Sequence, residues 1–239
     1  MNDSITLLQK WIDESNNIVF FGGAGVSTES GIKDFRSKDG LYNMKYKYPP
    51  ESILSHTFFM RNPDEFYKFY RDKLNCLNAL PNICHKYLVE LEKKGKLKAI
   101  ITQNIDGLHE KAGSKNVLNL HGTIYKNFCM DCGKDISYEV VFSSNDIPKC
   151  QCGGIVKPGV VLYGEALPEK EYNQALIAVN KADLMIVAGT SLTVYPASSF
   201  VSFFRGKHLV IINNDETDYD RIADLVIHDK LGNVFNKLK

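Results

Sequence analysis

No excess of either charge marks this chain: 29 Lys and Arg face 28 Asp and Glu over 239 residues, a formal net charge of +1. That balance excludes a dominant basic surface and an acidic tail, so no nucleic-acid partner is expected. No apolar run approaches the roughly 18 residues that a membrane-spanning helix needs. The opening stretch also lacks the continuous apolar run expected of a signal peptide. The opening residues, MNDSITLLQKWIDES, set Ile5, Leu8, Trp11 and Ile12 at helical spacing among polar residues, which reads as an amphipathic helix. The expectation is a cytoplasmic protein that avoids membranes. Internal repeats and low-complexity tracts are also lacking, and with 44% hydrophobic residues the chain can bury a full core.

What is present is an alternation. Short β-branched and aromatic runs fall at Asn17–Phe21, Leu97–Thr102, Val117–Leu120, Leu184–Ala188, His208–Asn213 and Leu225–Ile227. Most are nearly continuous apolar segments, as in strands buried on both faces. Helical patterns lie between them at Asp64–Asn78, Ile83–Lys94, Glu169–Lys181, Ala197–Phe204 and Leu231–Leu238, and an aromatic-rich helix is predicted over Phe58–Tyr70. The alternation predicts an α/β fold with a doubly wound, mostly parallel sheet. Residues 124–157 break the rhythm and read as a small inserted module. The main domain is then 1–123 with 158–239, carrying a long loop over about 28–50 and a helical insertion over about 51–80.

The first strand runs into FFGGAGVSTESGIKDFR, from Phe20 to Arg36. Glycines there let the backbone turn tightly and approach a pyrophosphate. The third glycine of a GxGxxG motif is absent, with Thr28 in its place, so the stretch fits a plain strand-to-helix turn equally well. No strong strand follows until Leu97, which makes the intervening chain long enough to cover a ligand. Within it, Arg36 can clamp a phosphate or carboxylate and Phe35 can shield a reactive carbon. A solvated loop anchored by Phe35 is the competing reading.

The strand Leu97–Thr102 ends in QNIDGLH, placing Gln103, Asn104 and Asp106 where open α/β sheets bind ligands. Asp106 can also cap a helix around Leu108–Ala112, whereas no such capping role accounts for Asn104. The next strand ends at His121-Gly122-Thr123, and an imidazole at a strand end is placed for acid–base work.

Four of the six cysteines cluster: Cys129-x2-Cys132 and Cys150-x-Cys152, with 17 residues between the pairs. Paired cysteines at this separation indicate a four-thiolate Zn²⁺ site, closed to substrate and therefore structural. Gly153 and Gly154 supply backbone freedom for the shortened second pair. Cys76 and Cys84 lie on helical segments, and buried packing is expected for both.

Together these segments resemble the sirtuins, NAD-dependent protein lysine deacylases. The resemblance rests on GAGVSTESGIKDFRS (Gly23–Ser37), TQNIDGLH (Thr102–His109), HGT (His121–Thr123), the four cysteines, VKPGVVLYGEALP (Val156–Pro168), GTSLTVYPA (Gly189–Ala197) and INND (Ile212–Asp215). It implies a Rossmann-like NAD-binding domain with an inserted zinc module. It also implies transfer of an acetyl or other uncharged acyl group from acyl-lysine proteins or peptides to ADP-ribose, with release of nicotinamide and free lysine. By similarity, Gly23, Ala24, Gly25 and Ser27 approach the cofactor, and Asp34, Phe35 and Arg36 belong to the loop that closes over it. Gln103 and Asn104 correspond to ribose and water contacts, with Asn104 assisting catalysis. Ile105 and Asp106 correspond to the carboxamide-binding pair, and His121 to the general base. Gly189, Thr190 and Ser191 match a phosphate and ribose site, Asn213 and Asn214 an adenosine contact, and Lys230 and Leu231 an adenine-packing pair. Val161, Tyr163, Gly164 and Glu165, with Val194 opposite, match edges between which a peptide adds as a strand. Tyr67 is assigned to the acyl side.

The chain departs from the family pattern in places. Lys33 replaces the usual proline of GIPDFR, Gly22 stands where Thr is common, and Tyr163 where Phe is common. In the desuccinylase-like branch a Tyr-x-x-Arg pair binds the acyl carboxylate. Here Tyr70 takes the arginine position and Arg71 follows it, about 100° further round the helix, so Arg71 is expected to face away from the acyl pocket. Two other classes compete with deacylation: a mono-ADP-ribosyltransferase and a non-catalytic NAD or ADP-ribose binding module. His121 argues against pure binding, and the Val161–Glu165 edge argues for a peptide substrate.

Overall fold

Five parallel pairings make the larger sheet. In a computed structural model that describes residues 2–37 and 39–239, the elements run as follows. Helix α1 (Asn2–Glu14) leads into β1 (Ile18–Gly22), followed by α2 (Pro50–Ile53), α3 (His56–Arg61), α4 (Pro63–Lys73) and α5 (Ile83–Lys93). Next come β2 (Leu97–Thr102), α6 (Leu108–Ala112), β3 (Val117–Asn119), β4 (Gly122–Cys129), β5 (Asp135–Ile136), α7 (Tyr138–Ser143) and β6 (Val156–Val160). The chain closes with α8 (Glu169–Lys181), β7 (Leu184–Ala188), α9 (Phe200–Phe203), β8 (His208–Ile212), β9 (Leu225–Ile227) and α10 (Leu231–Phe235). The strand order β3-β2-β1-β7-β8-β9 makes β1 the strand from which the chain winds in both directions. The loops after β1 and β7 therefore part at the carboxyl edge and open a crevice.

Alternation along β1 feeds two cores. Ile18 and Phe20 join Leu8, Ile12, Leu88, Val234 and Phe235 beneath α1, α5 and α10. Val19 and Phe21 face Ala175, Val179, Phe200 and Val201 beneath α8 and α9. Both faces are covered, which is why the strands read as continuous apolar runs. Among the described residues no helix is long and apolar enough to cross a membrane.

The expected strands agree with the ladder to within one residue at their ends, and Glu169–Lys181 is a helix over that span. Several helix expectations need correction. The segment Phe58–Tyr70 is two helices, because Pro63, lacking an N–H, starts α4 immediately after Asn62. Helix α4 ends at Lys73, so Cys76 lies in the following loop and is only half-buried, whereas Cys84 is helical and buried. Residues 197–199 form a 3₁₀ turn before α9, and α10 stops at Phe235.

The second sheet was not anticipated. It is antiparallel, in the order β5-β4-β6, and its apolar side shares a third core with the helical insertion. There Phe59, Phe66, Tyr67, Tyr70, Ile124, Val141, Val156 and Leu162 pack together. Arg71 ties the two parts further: its guanidinium donates to the carbonyls of Val141 and Asp146.

Phe20 is fully buried at the centre of the sheet, edge-on to Phe235 and His109. Phe20→Ala should cost about 3–5 kcal/mol from lost burial and the cavity left behind. The check is a lower urea midpoint at an unchanged denaturant slope.

Candidate active-site cleft

The crevice is lined on one side by strand ends and on the other by residues 161–165. Its volume is about 1400 Å³, beyond the ~300–1,000 Å³ of most single-ligand pockets, and so it has room for two substrates together.

At its floor β1 and β2 bring a buried polar network together. The Ser27 hydroxyl donates to Asp106 Oδ2 at 2.6 Å and accepts from Asn104 Nδ2 at 3.1 Å. Asp106 Oδ1 accepts from the Leu108 N–H at 2.9 Å, and Gly107 adopts φ 67° to allow that turn. Asp106 therefore both accepts from the first turn of α6 and lines the cleft. Burial pushes its carboxyl up, while Ser27 and Leu108 hold it down. Gln103 Nε2 reaches across to Thr190 Oγ1 at 3.0 Å, linking β2 to the loop after β7.

His121 follows β3 and lines the same cleft. Its Nδ1 lies 2.9 Å from the carbonyl oxygen of Gln103. A carbonyl only accepts, so Nδ1 carries the proton and Nε2 keeps a lone pair. Burial pushes the imidazole below its ordinary pKa, an effect the Gln103 carbonyl partly offsets. Gly122 has φ 73°, and a Cβ there would meet the Gly159 carbonyl oxygen at 2.0 Å, so glycine is required for β4 to start directly after this histidine.

Nearly every residue assigned from sequence lines this cleft. Ala24, Gly25, Ser27, Asp34, Phe35, Arg36, Gln103, Asn104, Ile105, Asp106 and His121 do so. Gly189, Thr190, Ser191, Asn213, Asn214, Lys230 and Leu231 lie along one stretch of the wall. Val161, Tyr163, Gly164, Glu165 and Val194 lie along the other. Two residues do not line it. Gly23 is packed behind the wall, where a Cβ would meet Thr190 at 2.7 Å. Tyr67 is fully buried in the third core and donates its hydroxyl to the Val156 carbonyl. Arg71, expected to face away, contributes to the cleft wall, but its guanidinium donors go to Val141 and Asp146.

The loop after α4 adds Asn75, Cys76 and Asn78 to the lining. Burial pushes the Cys76 thiol up to about 12, with the Asp106 carboxylate adding to the effect, so it is not a nucleophile at neutral pH. Nothing in the periodicity of LNCLNA marks these residues, because only the chain reversal after α4 carries them to the cleft.

Away from the cleft, the sulfurs of Cys129, Cys132, Cys150 and Cys152 lie within 4.8 Å of one another, with pairs at 3.5 and 3.8 Å. A tetrahedron with Zn–S bonds of about 2.3 Å has edges of about 3.8 Å, so the donor set fits zinc. Backbone N–H groups, chiefly that of Cys132, pull the Cys129 thiol down towards the thiolate a metal needs, while its neighbour Cys152 is pushed up. The shortened pair closes through Gly153 at φ 93°, and a Cβ on Gly154 would meet the Cys129 sulfur at 2.7 Å.

Comparisons with known proteins agree with this geometry. The Sir2 family model matches residues 23–196. An NAD-dependent protein deacetylase of Clostridium acetobutylicum is 55% identical over 236 residues, covering 97% of this chain and 96% of that protein. The enzyme of the same name from Clostridium perfringens is 53% identical, covering 100% and 99%. A solved Sir2 structure with a p53 peptide and NAD⁺ superposes with a TM-score of 0.88 at 38% identity, covering 98% of this chain and 96% of its own. Another, from work on the mechanism and regulation of Sir2 enzymes, gives 0.91 at 41%, covering 99% and 96%. From the parted loops of β1 and β7 to the cysteine cluster, this chain belongs to the Sir2 family.

Proposed function

We infer that the protein is an NAD-dependent protein lysine deacetylase, acting on acyl-lysine proteins or peptides. One observation carries the reading. A neutral, half-buried histidine with a fixed tautomer, the Ser27–Asn104–Asp106 network and the exposed edge Tyr163–Gly164 all face one cleft large enough for two substrates. When bound, NAD supplies the ADP-ribose that accepts the acyl group as nicotinamide leaves. Supplying an acetyl-lysine peptide and NAD should yield deacetylated peptide and nicotinamide in equal amounts.

In this reading Ala24, Gly25, Thr190 and Ser191 cradle the phosphates, and Asn213, Asn214, Lys230 and Leu231 hold the adenosine half. Asp106, oriented by Ser27 and the Leu108 N–H, presents a fixed acceptor to a carboxamide together with Ile105. His121 Nε2 takes a proton from a ribose hydroxyl, while the Gln103 carbonyl stabilises the imidazolium that results. Phe35 and Arg36 exclude water from the reacting centre. The peptide lies between Val161–Glu165 and Val194. Four thiolates would hold a structural zinc that clamps the ends of β4 and β6.

The division into a nucleotide domain (1–123, 158–239) and a zinc module (124–157) belongs to the same reading. The third core supports grouping the helical insertion with the module. A cytoplasmic location suits a chain that keeps thiolates reduced for a metal.

His121→Ala should keep the fold and lose about 10²–10⁴-fold in turnover. In the parent enzyme the reactive form is neutral, so kcat/KM should fall as pH drops through a folded pKa below 6.5. A pH–rate profile whose acid limb lies above that value would remove His121 from the role of base.

Purified protein should carry about one zinc per chain, and a chelator should unfold the module and abolish activity together. Metal analysis alongside circular dichroism reads both.

Acetyl-lysine should be preferred over succinyl-lysine in kcat/KM on matched peptides. Tyr67 is buried with its hydroxyl on the Val156 carbonyl, and Arg71 directs its Nε and Nη2 donors to the carbonyls of Val141 and Asp146, so neither residue is aimed at an acyl carboxylate.

A further inference from the structure

The segment carrying Phe35 and Arg36 is tied mostly to itself. Asp34 Oδ1 accepts from the Arg36 and Ser37 N–H groups at 3.0 and 2.8 Å, and Asn43 Nδ2 donates to the carbonyls of Arg36 and Ser37. Leu41 and Tyr42 N–H groups close back on the Asp34 and Phe35 carbonyls at 2.9 and 2.8 Å. The result is a compact knot, seated on the third core through Leu41. It has a polar attachment across the cleft, where the Tyr42 and Tyr163 hydroxyls lie 2.6 Å apart and share a hydrogen bond.

Each end of that bond is held differently. The Tyr42 ring is gripped within the knot: Phe35 packs on it at 5.4 Å, and the Arg36 guanidinium sits 5.3 Å above it. Tyr163 is a fixed post, because its N–H donates to the Leu54 carbonyl at 2.9 Å and its carbonyl accepts from the His56 N–H at 3.0 Å. Below it the buried Lys157 and the Leu162 N–H hold Glu165 Oε2 at 3.1 and 2.9 Å, and His56 holds Oε1 at 2.8 Å. A hydroxyl at position 163 thus joins the knot to a braced edge, which a phenylalanine there would not do.

We propose that the Tyr42–Tyr163 hydroxyl pair is a latch that holds the Phe35–Arg36 segment closed against the 161–165 edge. Tyr163 is then a positioning residue for the cofactor loop as well as part of the peptide wall. The role for NAD rests on the deacetylase reading; the closure itself does not.

Three variants test it: Tyr42→Phe, Tyr163→Phe and the double variant, each keeping its rings and checked for an unchanged melting temperature. In ligand-free protein, trypsin should cut after Lys33 and Arg36 about 5-fold faster in either single variant, the equilibrium worth of one net hydrogen bond. The double variant should be no faster than either single, since each hydroxyl acts through the other. Calorimetric NAD affinity should weaken by the same factor and with the same non-additivity. Unchanged cleavage, additive effects, or a rise in peptide KM alone with Tyr163→Phe would overturn the latch. If the parent protein binds no NAD, the deacetylase reading fails, and the cleavage rates alone decide the latch.

Discussion

Two glycines in contact organise this molecule. Gly25 follows β1 and Gly189 follows β7, and the Gly25 N–H donates to the Gly189 carbonyl at 2.8 Å. A Cβ on Gly25 would lie 2.7 Å from the Gly189 Cα, and one on Gly189 would lie 2.5 Å from the Val26 nitrogen. Gly189 also has φ 59°, which side-chain-bearing residues rarely adopt. Only with both positions bare can the two loops leave neighbouring parallel strands side by side. The cleft floor, the Gln103–Thr190 bridge and the placement of Ser27 all follow from that approach.

Upon this floor sits a polar network that is costly unless complete. Asn104, Asp106 and Ser27 are each less than a tenth exposed, and an unpaired member would carry a desolvation cost of about 1–3 kcal/mol. Their mutual bonds meet most of that cost and fix their orientation. Partial desolvation in the same cleft favours neutral His121, and the Gln103 carbonyl chooses which nitrogen bears the proton. One environment therefore sets both protonation state and direction.

The second sheet has a different problem. With only three strands it is too small to hold its distal end by apolar burial alone, and its core is completed by α3 and α4 from another part of the chain. The cysteine cluster lies at the far end, where β4 finishes at Cys129, and metal ligation there would replace the missing core. Glu165, Lys157 and His56 brace the near end, beside the cleft.

The strands of the large sheet were legible in the sequence because burial on both faces writes itself as unbroken apolar runs, as in IVFFG and LMIVA. The cleft residues were legible because polar groups at the end of a buried strand are costly unless they meet a partner or a ligand. The cysteine pairs carried their own spacing. Strands β4 and β6 were not legible: they pair with each other across residues 130–155, and GTIYKNFC alone has no periodicity that separates it from a loop. The break at Pro63 could be read locally, but the aromatic pattern ran through it. Tyr67 kept its expected helix and lost its expected site, because the face it shares with Phe66 and Tyr70 packs into the third core. Cys76, Asn78 and the Tyr42–Tyr163 bond depended on where loops from distant parts of the chain came to rest. Sequence by itself determined the local periods, the turns and the ligand chemistry. Tertiary structure alone decided which loops meet, because that depends on how two sheets and their shared helices pack in space.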